Sequence, residues 1–298
     1  MIVGIGELLW DVLPDGRRAG GAALNFAFHC RQLGHDAAIV SRVGDDADGR
    51  ELRAEVRRLG LSDEWVQTDP HRPTGSVTVT LVDGQPTYQI ADDVAWDHLE
   101  WSAALDGLAD QAAAVGFGTL PLRHPASRAT VFRFAEENRK AILPSVRVLD
   151  LNLREPRPTK AVLADALSAA EWVKATEAEL TEVGALFGLT GPQLIDLHRD
   201  ADAGHEAAWF VTDGEAGARL VTPREQHRTP AVSARVVDTV GAGDAFLAAM
   251  VTGRLADRPW ADCLRFAVRY AAAVCEHPGP TPVLTAKVVA GLRGDSGG

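Results

Sequence analysis

Short apolar segments and amphipathic segments alternate along almost the whole of this 298-residue chain. Apolar runs bounded by turn residues predict strands, and apolar positions with a period near 3.6 residues predict helices. Their alternation favours a mostly parallel central sheet that is covered by helices on both faces. We expect strands at residues 2–6, 37–43, 113–117, 147–151, 171–175, 207–212 and 218–221, and helices at residues 25–33, 50–59, 128–138, 159–169, 177–187, 192–203, directly after Gly243 and at residues 261–276.

One segment departs from this alternation. Residues 74–90 alternate polar and apolar side chains on either side of Asp83-Gly84, a dipeptide typical of a two-residue β-hairpin turn. Such an amphipathic hairpin forms either an edge extension of the sheet or a lid over a site. We favour the lid, because lids close over the sites of many enzymes and exclude water. Trp96, Trp101 and Tyr88 could line a ligand cleft, although core or interface packing is the expected role of each.

The composition is that of a globular protein, with 46% hydrophobic and 24% charged residues and a net charge of −11. Because nucleic-acid binding requires a basic face, small-molecule chemistry is expected instead. The start of the chain lacks a basic stretch, and no apolar run approaches the roughly 20 residues of a membrane span. We therefore predict a cytoplasmic protein without a membrane contact. The scattered Cys30, Cys263 and Cys275 predict buried thiols rather than disulfides or a metal site.

The clearest chemical signal is Asp238-Thr-Val-Gly-Ala-Gly-Asp-Ala-Phe246. A glycine-bearing turn that runs into a helix leaves several backbone N–H groups without internal partners, with the positive end of the helix dipole behind them. Such a turn suits a phosphoryl group in transfer, and Asp244 beside it could take a proton from an attacking hydroxyl. The same residues also fit an ordinary strand-to-helix turn in which Asp244 caps the helix.

A second glycine turn opens a helix at Gly20-Gly21-Ala-Ala-Leu-Asn25. Its amides and the Asn25 side chain could bond sugar hydroxyls, and Asp11 offers a carboxylate acceptor, but a plain capped turn fits as well. Gly4-Ile-Gly6 lacks the third glycine of a dinucleotide-binding fingerprint, and the sequence has no P-loop motif. A dinucleotide-dependent dehydrogenase is therefore a weak alternative.

Taken in order, these motifs resemble those of the ribokinase-like (PfkB) family of carbohydrate kinases, and those of its bacterial fructokinase branch most closely. The resemblance spans nearly the whole chain. Besides the hairpin, it is carried by Gly6-Glu-Leu-Leu-Trp-Asp11, Gly20-Gly21-x-x-x-Asn25-x-Ala27, Val43-Gly-Asp-Asp46 with Gly49, Ala95-Trp-Asp97, Gly116-x-Gly-Thr-Leu-x-x-Arg123, Asp150-x-Asn-Leu-Arg154, Val211-Thr-Asp-Gly-x-x-Gly217 and Asp238-Thr-x-Gly-Ala-Gly-Asp244. It implies one ribokinase-like domain over residues 1–298, with a three-layer α/β/α fold and a small β-sheet lid formed by residues 10–20 and 72–98.

The resemblance also implies roles for individual residues in an ATP-dependent transfer to the primary hydroxyl of a sugar. Asp244 is the base, and the amides of Gly241, Ala242 and Gly243 hold the γ-phosphoryl group. Asp11, Gly21 and Asn25 are expected to bind the sugar, and Arg154 the sugar or the phosphates. Thr212, Gly214 and Gly217 are expected to bind ATP. Glu179 is expected to hold Mg²⁺ through water, and Asp238 with the Val240 carbonyl a monovalent cation such as K⁺. Two departures from the family pattern are Thr176, where the family has asparagine three residues before the acid, and Leu24, where a small residue is usual.

The resemblance to the fructokinase branch makes D-fructose the expected substrate, which would give fructose 6-phosphate. A kinase for 2-keto-3-deoxygluconate or another sugar acid is the nearest alternative, and it would need an extra cation in the pocket, such as Arg17, Arg18 or Arg123. A non-catalytic sugar- or nucleotide-sensing protein on a kinase scaffold is the alternative from another class, suggested by Thr176. The resemblance further implies a homodimer formed through the lid.

Overall fold

The computed structural model describes residues 1–13, 16–82, 85–201 and 206–294. Its strands are β1 (Ile2–Ile5), β2 (Leu9–Leu13), β3 (Gly16–Gly20), β4 (Ala37–Gly44), β5 (Val66–Asp69), β6 (Gly75–Val82), β7 (Gln85–Ile90), β8 (Ala114–Gly118), β9 (Val146–Asp150), β10 (Trp172–Thr176), β11 (Ala208–Thr212), β12 (Ala218–Val221) and β13 (Gln226–Thr229). Its α-helices are α1 (Ala22–Gln32), α2 (Ala47–Arg58), α3 (Ala103–Gln111), α4 (Pro125–Lys140), α5 (Lys160–Ala169), α6 (Glu177–Phe187), α7 (Gly191–Ala201), α8 (Ala242–Leu255), α9 (Trp260–Cys275) and α10 (Ala286–Arg293).

The large sheet has the strand order β13-β12-β11-β10-β9-β8-β1-β4-β5. Neighbouring strands from β11 to β5 run parallel, and β12 and β13 add an antiparallel edge. In open parallel sheets, ligands bind outside the carboxyl ends of the strands. That edge is where β1, β9, β10 and β11 end.

Helices cover both faces of this sheet, because alternate residues of each strand point to opposite sides. Val148 and Phe210 belong to the apolar core under α1, α2, α8, α9 and α10. Their sequence neighbours Leu149 and Trp209 belong to the second core, under α3 to α7. The predicted three-layer α/β/α fold with a mostly parallel sheet is therefore confirmed.

Gly4 explains why the amino-terminal Gly-x-Gly sequence is present without a dinucleotide site. A Cβ atom on Gly4 would lie 2.3 Å from the carbonyl oxygen of Ala23, so the glycine lets α1 pack directly on β1. This close approach brings the start of α1 to the carboxyl edge of the sheet.

A second, smaller sheet has the strand order β3-β2-β6-β7. The β2–β6 pair is parallel, and the β2–β3 and β6–β7 pairs are antiparallel. Its strands come from the two segments that the sequence assigns to a lid, and the β6–β7 pairing confirms the predicted hairpin. The Asp83-Gly84 turn itself lies outside the described residues, and closure of this sheet over a site stays a prediction.

Most predicted elements are present within a few residues of their expected bounds. Several observed elements were not predicted. The helix predicted to follow Gly243 begins at Ala242, and the predicted end of the 192–203 helix lies outside the described residues beyond Ala201. The sequence analysis did not predict β2, β3, β5, β13, α3 and α10, most of which are short or rich in charged residues. Cys30 and Cys263 are buried as expected, but Cys275 is partly exposed. None of the described helices is long and apolar enough to cross a membrane.

Candidate active site

The amino-terminal ends of α1 and α8 meet at the carboxyl edge of the large sheet. Asn25 lies in the first turns of α1, and Asp244 lies in the first turn of α8. The Asn25 side-chain amide donates a 2.8 Å hydrogen bond to Oδ2 of Asp244. The two glycine turns that the sequence analysis treated separately therefore form one site.

The Asp244 carboxyl is held in a form suited to accepting a proton. Burial raises its pKa from 3.8 to about 7, and the negative charges of Asp150 and Glu7 add to the rise. The hydrogen bond from Asn25 and the charge of Lys174 act in the opposite direction. A base is most effective when its pKa lies near the working pH, so this environment matches the predicted role.

The glycine turn before Asp244 is built as a donor surface. Gly241 is the N-cap of α8 and has a left-handed backbone with φ of 79°. The amide of Ala242 donates to the carbonyl of Thr239 at 3.2 Å. Among the described residues, no backbone partner accepts from the amides of Gly241 and Gly243. These two amides, with the positive end of the α8 dipole behind them, are available for an anion.

A buried lysine lies directly beneath this turn. Lys174 Nζ is 3.0 Å from Asp150 Oδ1 and 3.2 Å from Asp150 Oδ2, and both side chains are buried. They are register partners on the adjacent parallel strands β9 and β10, so the sheet itself fixes the ion pair. A Cβ atom on Gly243 would lie only 2.8 Å from Lys174 Nζ. The ammonium group is thus in contact with the proposed anion-binding turn.

The predicted sugar-side residues gather at the start of α1: Gly21 is its N-cap, Asn25 lies in its first turns, and a Cβ atom on Gly20 would lie 2.1 Å from Asp11 Oδ2. Asn25 is buried, and its Oδ1 atom has no hydrogen-bond partner among the described residues, which leaves a desolvated acceptor for a ligand hydroxyl. Burial raises the pKa of Asp11 to about 6, and the charges of Arg154 and Arg18 oppose this rise. Arg154 is exposed and makes no hydrogen bond or ion pair with the described residues.

Glu7 holds the start of α1, next to these residues. Its Oε1 atom accepts a 2.9 Å hydrogen bond from the amide of Ala22, the first residue of α1. Burial raises its pKa, although hydrogen bonds from backbone amides and the charge of Arg154 act against the rise. Gly21 packs against Glu7 so closely that a Cβ atom on it would lie 2.2 Å from the Glu7 carbonyl oxygen. Gly21 and Glu7 together fix the start of α1.

The Thr176 departure leaves the local structure intact. Thr176 caps α6, accepting from the amide of Glu179 at 3.1 Å, while Glu179 Oε2 accepts from the amide of Thr176 at 2.8 Å. Glu179 Oε1 accepts from the amide of Leu153 at 2.8 Å. A threonine hydroxyl can cap a helix, as the side-chain oxygen of an asparagine does. Both Glu179 oxygens already hold backbone groups, so a metal ion would contact this carboxylate most readily through water.

Asp238 organises the loop before the glycine turn. Its Oδ1 accepts from the amide of Val240 at 3.0 Å, and its Oδ2 accepts from the amide of Gly279 at 2.9 Å. The Asp238 charge also contributes to raising the pKa of Asp11. The two residues expected at a monovalent-cation site, Asp238 and Val240, lie in the loop between β13 and α8. The bond from Gly279 attaches this loop to the segment that follows α9.

The predicted nucleotide-binding residues follow β11. Thr212 ends that strand, in register with Thr176 on β10. Gly214 and Gly217 both have positive φ values, of 46° and 94°, and a Cβ atom on Gly217 would lie 2.1 Å from the Thr229 carbonyl oxygen. The loop is thus tightly folded against β13, next to the capped start of α6.

Two of the arginines considered as partners for a sugar carboxylate are already bound to acidic side chains of the protein. Arg123 donates two hydrogen bonds of 2.7 Å to the buried Asp97 and stacks over the Trp96 ring, which confirms core packing for that tryptophan. Arg17 is paired with the exposed acids Asp48 and Glu51 of α2. Arg18 lies across from Asp11 in the β2–β3 register, and its charge acts on the Asp11 carboxyl.

Sequence reasoning assigned no role to Lys174, Asp150 or Glu7. A signal was present in Lys174, because a lysine inside the apolar strand Trp172–Thr176 implies a buried charge that needs a partner. The identity of that partner depends on the strand order, which the sequence does not state.

Comparisons with known proteins identify the family and the fold. The family model described as pfkB family carbohydrate kinase matches residues 15–287. The fructokinase of Klebsiella pneumoniae is 27% identical over 260 residues, covering 84% of this chain and 82% of that protein. An uncharacterized sugar kinase from Pyrococcus horikoshii, solved in complex with ATP, superposes with a TM-score of 0.80 at 26% identity over 94% of each chain. A double mutant of the Vibrio cholerae O395 fructokinase, bound to fructose, ADP and a potassium ion, has a TM-score of 0.80 at 21% identity and covers 97% of this chain and 96% of that one.

Proposed function

Because this chain belongs to the pfkB family of carbohydrate kinases, we propose that it is a fructokinase, which transfers the γ-phosphoryl group of ATP to the primary hydroxyl of D-fructose. The broader activity, an ATP-dependent sugar kinase, follows from the family and from the ATP-bound relative of similar fold. The choice of fructose rests on the fructokinases among the relatives and on the hydroxyl-binding side chains of Asp11 and Asn25.

The observation that carries the proposal is the hydrogen bond between Asn25 and Asp244. It places a sugar-binding candidate and a base candidate side by side, with the amides of Gly241 and Gly243 next to the base. Phosphoryl transfer asks the protein mainly for positioning and for stabilisation of charge. A protein that only binds sugar or nucleotide has little use for a carboxylate whose pKa is about 7 at this position.

The reaction then runs as follows. Asp244 takes the proton of the sugar hydroxyl as that oxygen forms a bond to the γ-phosphorus of ATP. The bond from the γ-phosphorus to the bridging oxygen breaks, and ADP leaves with the electron pair. The amides of Gly241 and Gly243 stabilise the charge on the transferred group, and the Lys174 ammonium beneath Gly243 adds to this stabilisation. Lys174 stays charged because Asp150 compensates its burial.

The metal-binding residues fit a divalent ion held mostly by water and ATP. Mg²⁺ keeps several water ligands and is commonly bound through one or two carboxylates and the phosphates of the substrate. Asp150 is occupied by Lys174 and Glu179 by backbone amides, so neither offers a bare carboxylate. When bound, Mg²⁺ would neutralise charge on the phosphates, with Glu179 orienting its water shell. Asp238 and the Val240 carbonyl are the candidates for K⁺.

The sugar is the least constrained part of the proposal. Asp11 and Asn25 supply hydroxyl-binding groups, whereas Arg123 and Arg17 are paired with acids and are unavailable to neutralise a sugar carboxylate. This balance favours a neutral ketose over a sugar acid. Arg154 and Arg18 are the cations whose charges act on Asp11, and in this proposal Arg154 serves the phosphates of ATP.

The test is a panel of sugars assayed for Mg²⁺-dependent ADP release. Fructose should give the highest kcat/KM among fructose, tagatose, ribose, nucleosides and 2-keto-3-deoxygluconate. An Arg154→Gln variant should raise the KM for ATP while leaving the order of the sugars unchanged. A better kcat/KM for 2-keto-3-deoxygluconate, lost in Arg154→Gln, would replace the fructokinase proposal by that of a sugar-acid kinase. If none of the sugars in the panel supports ADP release, the kinase assignment of this site is wrong.

A further inference from the structure

A cluster of two histidines and an aspartate lies outside the active site, where the small sheet joins the rest of the protein. Asp93 follows β7 by three residues, His98 ends the short 3-10 helix Ala95–His98, and His124 is the N-cap of α4. One ligand atom from each residue lies within 4.8 Å of the others. The three residues come from three different elements, so the fold and not local sequence brings them together.

The side chains are oriented for joint binding. His98 Nε2 is 2.6 Å from Asp93 Oδ1, and the centroids of the His98 and His124 rings are 4.0 Å apart. His98 is well covered, with its side chain 12% exposed, while the Asp93 carboxylate is 69% exposed and can be reached from solvent. Among the described residues, Asp93 Oδ2 accepts no hydrogen bond, so one carboxylate oxygen is open.

The backbone at Asp93 is held in an uncommon conformation. Its φ is 51°, in the left-handed region that only glycine, asparagine and aspartate adopt readily. Hydrogen bonds from His98 and Arg72 lower the pKa of Asp93, so the carboxylate is ionised at neutral pH. Arg72 is the one cation that competes for this carboxylate at close range among the described residues, donating to Oδ1 at 3.1 Å. Arg72 also lies 3.7 Å from the buried Asp69, which would keep a partner for it.

We propose that Asp93, His98 and His124 bind a transition-metal ion of the Zn²⁺ class. Two imidazole nitrogens and one carboxylate oxygen, with the remaining positions open to water, suit Zn²⁺, Ni²⁺ or Cu²⁺. They do not suit Mg²⁺, which prefers oxygen ligands alone. The site is therefore separate in chemistry and in place from the ion used in phosphoryl transfer.

A bound ion would connect the exit of the small sheet to the body of the protein. The segment from β7 to the 3-10 helix links the small sheet to the large one, and His124 belongs to the body because it caps α4. Coordination from Asp93 to His124 would therefore restrain residues 91–98. Because residues 91–98 link the two sheets, the same restraint would limit any movement of the small sheet relative to the large one.

The experiment uses the untagged full-length protein, because a polyhistidine tag binds the same metals. Zn²⁺ is titrated calorimetrically in the presence of excess Mg²⁺, and one ion per chain is expected. His124→Asn keeps an N-cap side chain for α4, and His98→Gln keeps an N–H group facing Asp93. Each variant should weaken Zn²⁺ binding by at least about tenfold, as loss of even a supporting group does at metal sites.

His227→Gln is the matched control. His227 also pairs with an acid, Glu225, but no second imidazole faces this pair among the described residues, so Zn²⁺ binding should be unchanged. All variants should show the wild-type circular dichroism spectrum and wild-type ADP release without added zinc. Zn²⁺ binding that survives in His98→Gln and His124→Asn, or that falls equally in His227→Gln, would overturn the proposal.

Two further measurements locate the ion independently of the variants. Hydrogen exchange with and without Zn²⁺ should slow at residues 91–98 and at the start of α4, and slowing confined to other regions would contradict the site. Co²⁺ bound in place of Zn²⁺ should give a spectrum without a thiolate charge-transfer band. A thiolate band would assign the binding to a cysteine such as the partly exposed Cys275 and overturn the proposal.

Discussion

The side chains of Asn25 and Asp244 are joined by a 2.8 Å hydrogen bond although they are 219 residues apart in the sequence. Each stands near the start of a helix, and the two helices bring their positive ends to one point at the edge of the large sheet. Asn25 thereby does two things: it offers its buried Oδ1 to a ligand, and it stabilises the ionised form of Asp244. The proposed binding and proton-transfer functions are coupled through this contact.

Asp244→Asn should lower kcat by about 10²–10⁴-fold, because an amide cannot accept the hydroxyl proton. Sugar and ATP binding, measured by calorimetry, should stay within a few-fold of wild type, since the side chains have the same shape. Asp262→Asn, which changes an exposed carboxylate on α9, is the control and should turn over normally. ADP release by Asp244→Asn near the wild-type rate would exclude Asp244 as the base.

The pH profile should show an acidic limb set by Asp244. Its pKa is raised to about 7, so the base form is lost as the pH falls through that value and kcat/KM should fall with it. The Asn25 hydrogen bond lowers this pKa, so Asn25→Ala should move the limb to higher pH as well as raise the KM for sugar. An unchanged limb in Asn25→Ala would show that another group controls it.

Asp244→Asn should also stabilise the fold at alkaline pH. A carboxyl whose pKa is raised on folding binds its proton more tightly in the folded state, so it destabilises the fold once it is ionised. The gain in unfolding free energy should grow as the pH rises from about 4 to about 7 and then level off, because these are the unfolded and folded pKa values. We expect about 1–2 kcal/mol at pH 8 by urea unfolding, less than the full shift implies because the site is partly open to water. A variant less stable than wild type at pH 8 would contradict this.

Gly243→Ala should reduce activity by at least about tenfold, because its methyl group would lie 2.8 Å from Lys174 Nζ and must displace it. The control is Gly107→Ala on α3, where an added Cβ meets no atom within 4 Å. Gly107→Ala should keep full activity and raise the unfolding free energy by about 0.5–1 kcal/mol, since alanine is the better helix former. Equal effects of the two variants on ADP release would argue against a close-packed phosphoryl site at Gly243.

Lys174→Met should destabilise the fold by about 3–5 kcal/mol, because it leaves the Asp150 charge buried without a partner. The double variant Lys174→Met with Asp150→Leu removes both charges and should recover most of that stability in urea unfolding. Its kcat should remain low, because the ammonium beneath Gly243 is still missing. Recovery of both stability and kcat in the double variant would mean that the pair is only structural.

Much of the fold could be predicted from local patterns. The strand Ala218–Val221 and the helix Glu177–Phe187 have the predicted bounds, because apolar periodicity and a threonine cap define them within a few residues of sequence. β2 and β3 were missed as separate strands because each has only five residues, partly exposed, and β3 carries two arginines. Such strands exist only because partners in the small sheet pair with them.

The candidate site divides in the same way. Asp244, Asn25 and the glycine turns could be selected from sequence, since glycine turns before helices are local signals and the order of the motifs resembles a known family. Lys174 and Asp150 could not be assigned, because they become partners only when β9 and β10 lie side by side in register. The commitment of Arg123 to Asp97 likewise depends on packing between distant segments.

The sequence by itself therefore determined the α/β class and the family, and it supplied Asp244 as the candidate for the group that accepts the proton. Those properties follow from short-range patterns of side chains along the chain. Only the tertiary structure decided which polar and charged groups lie together: Asp244 with Asn25, Lys174 with Asp150 beneath Gly243, and Asp93 with the two histidines. Charges interact through space, and their pKa values depend on burial and on neighbours that only the folded chain supplies.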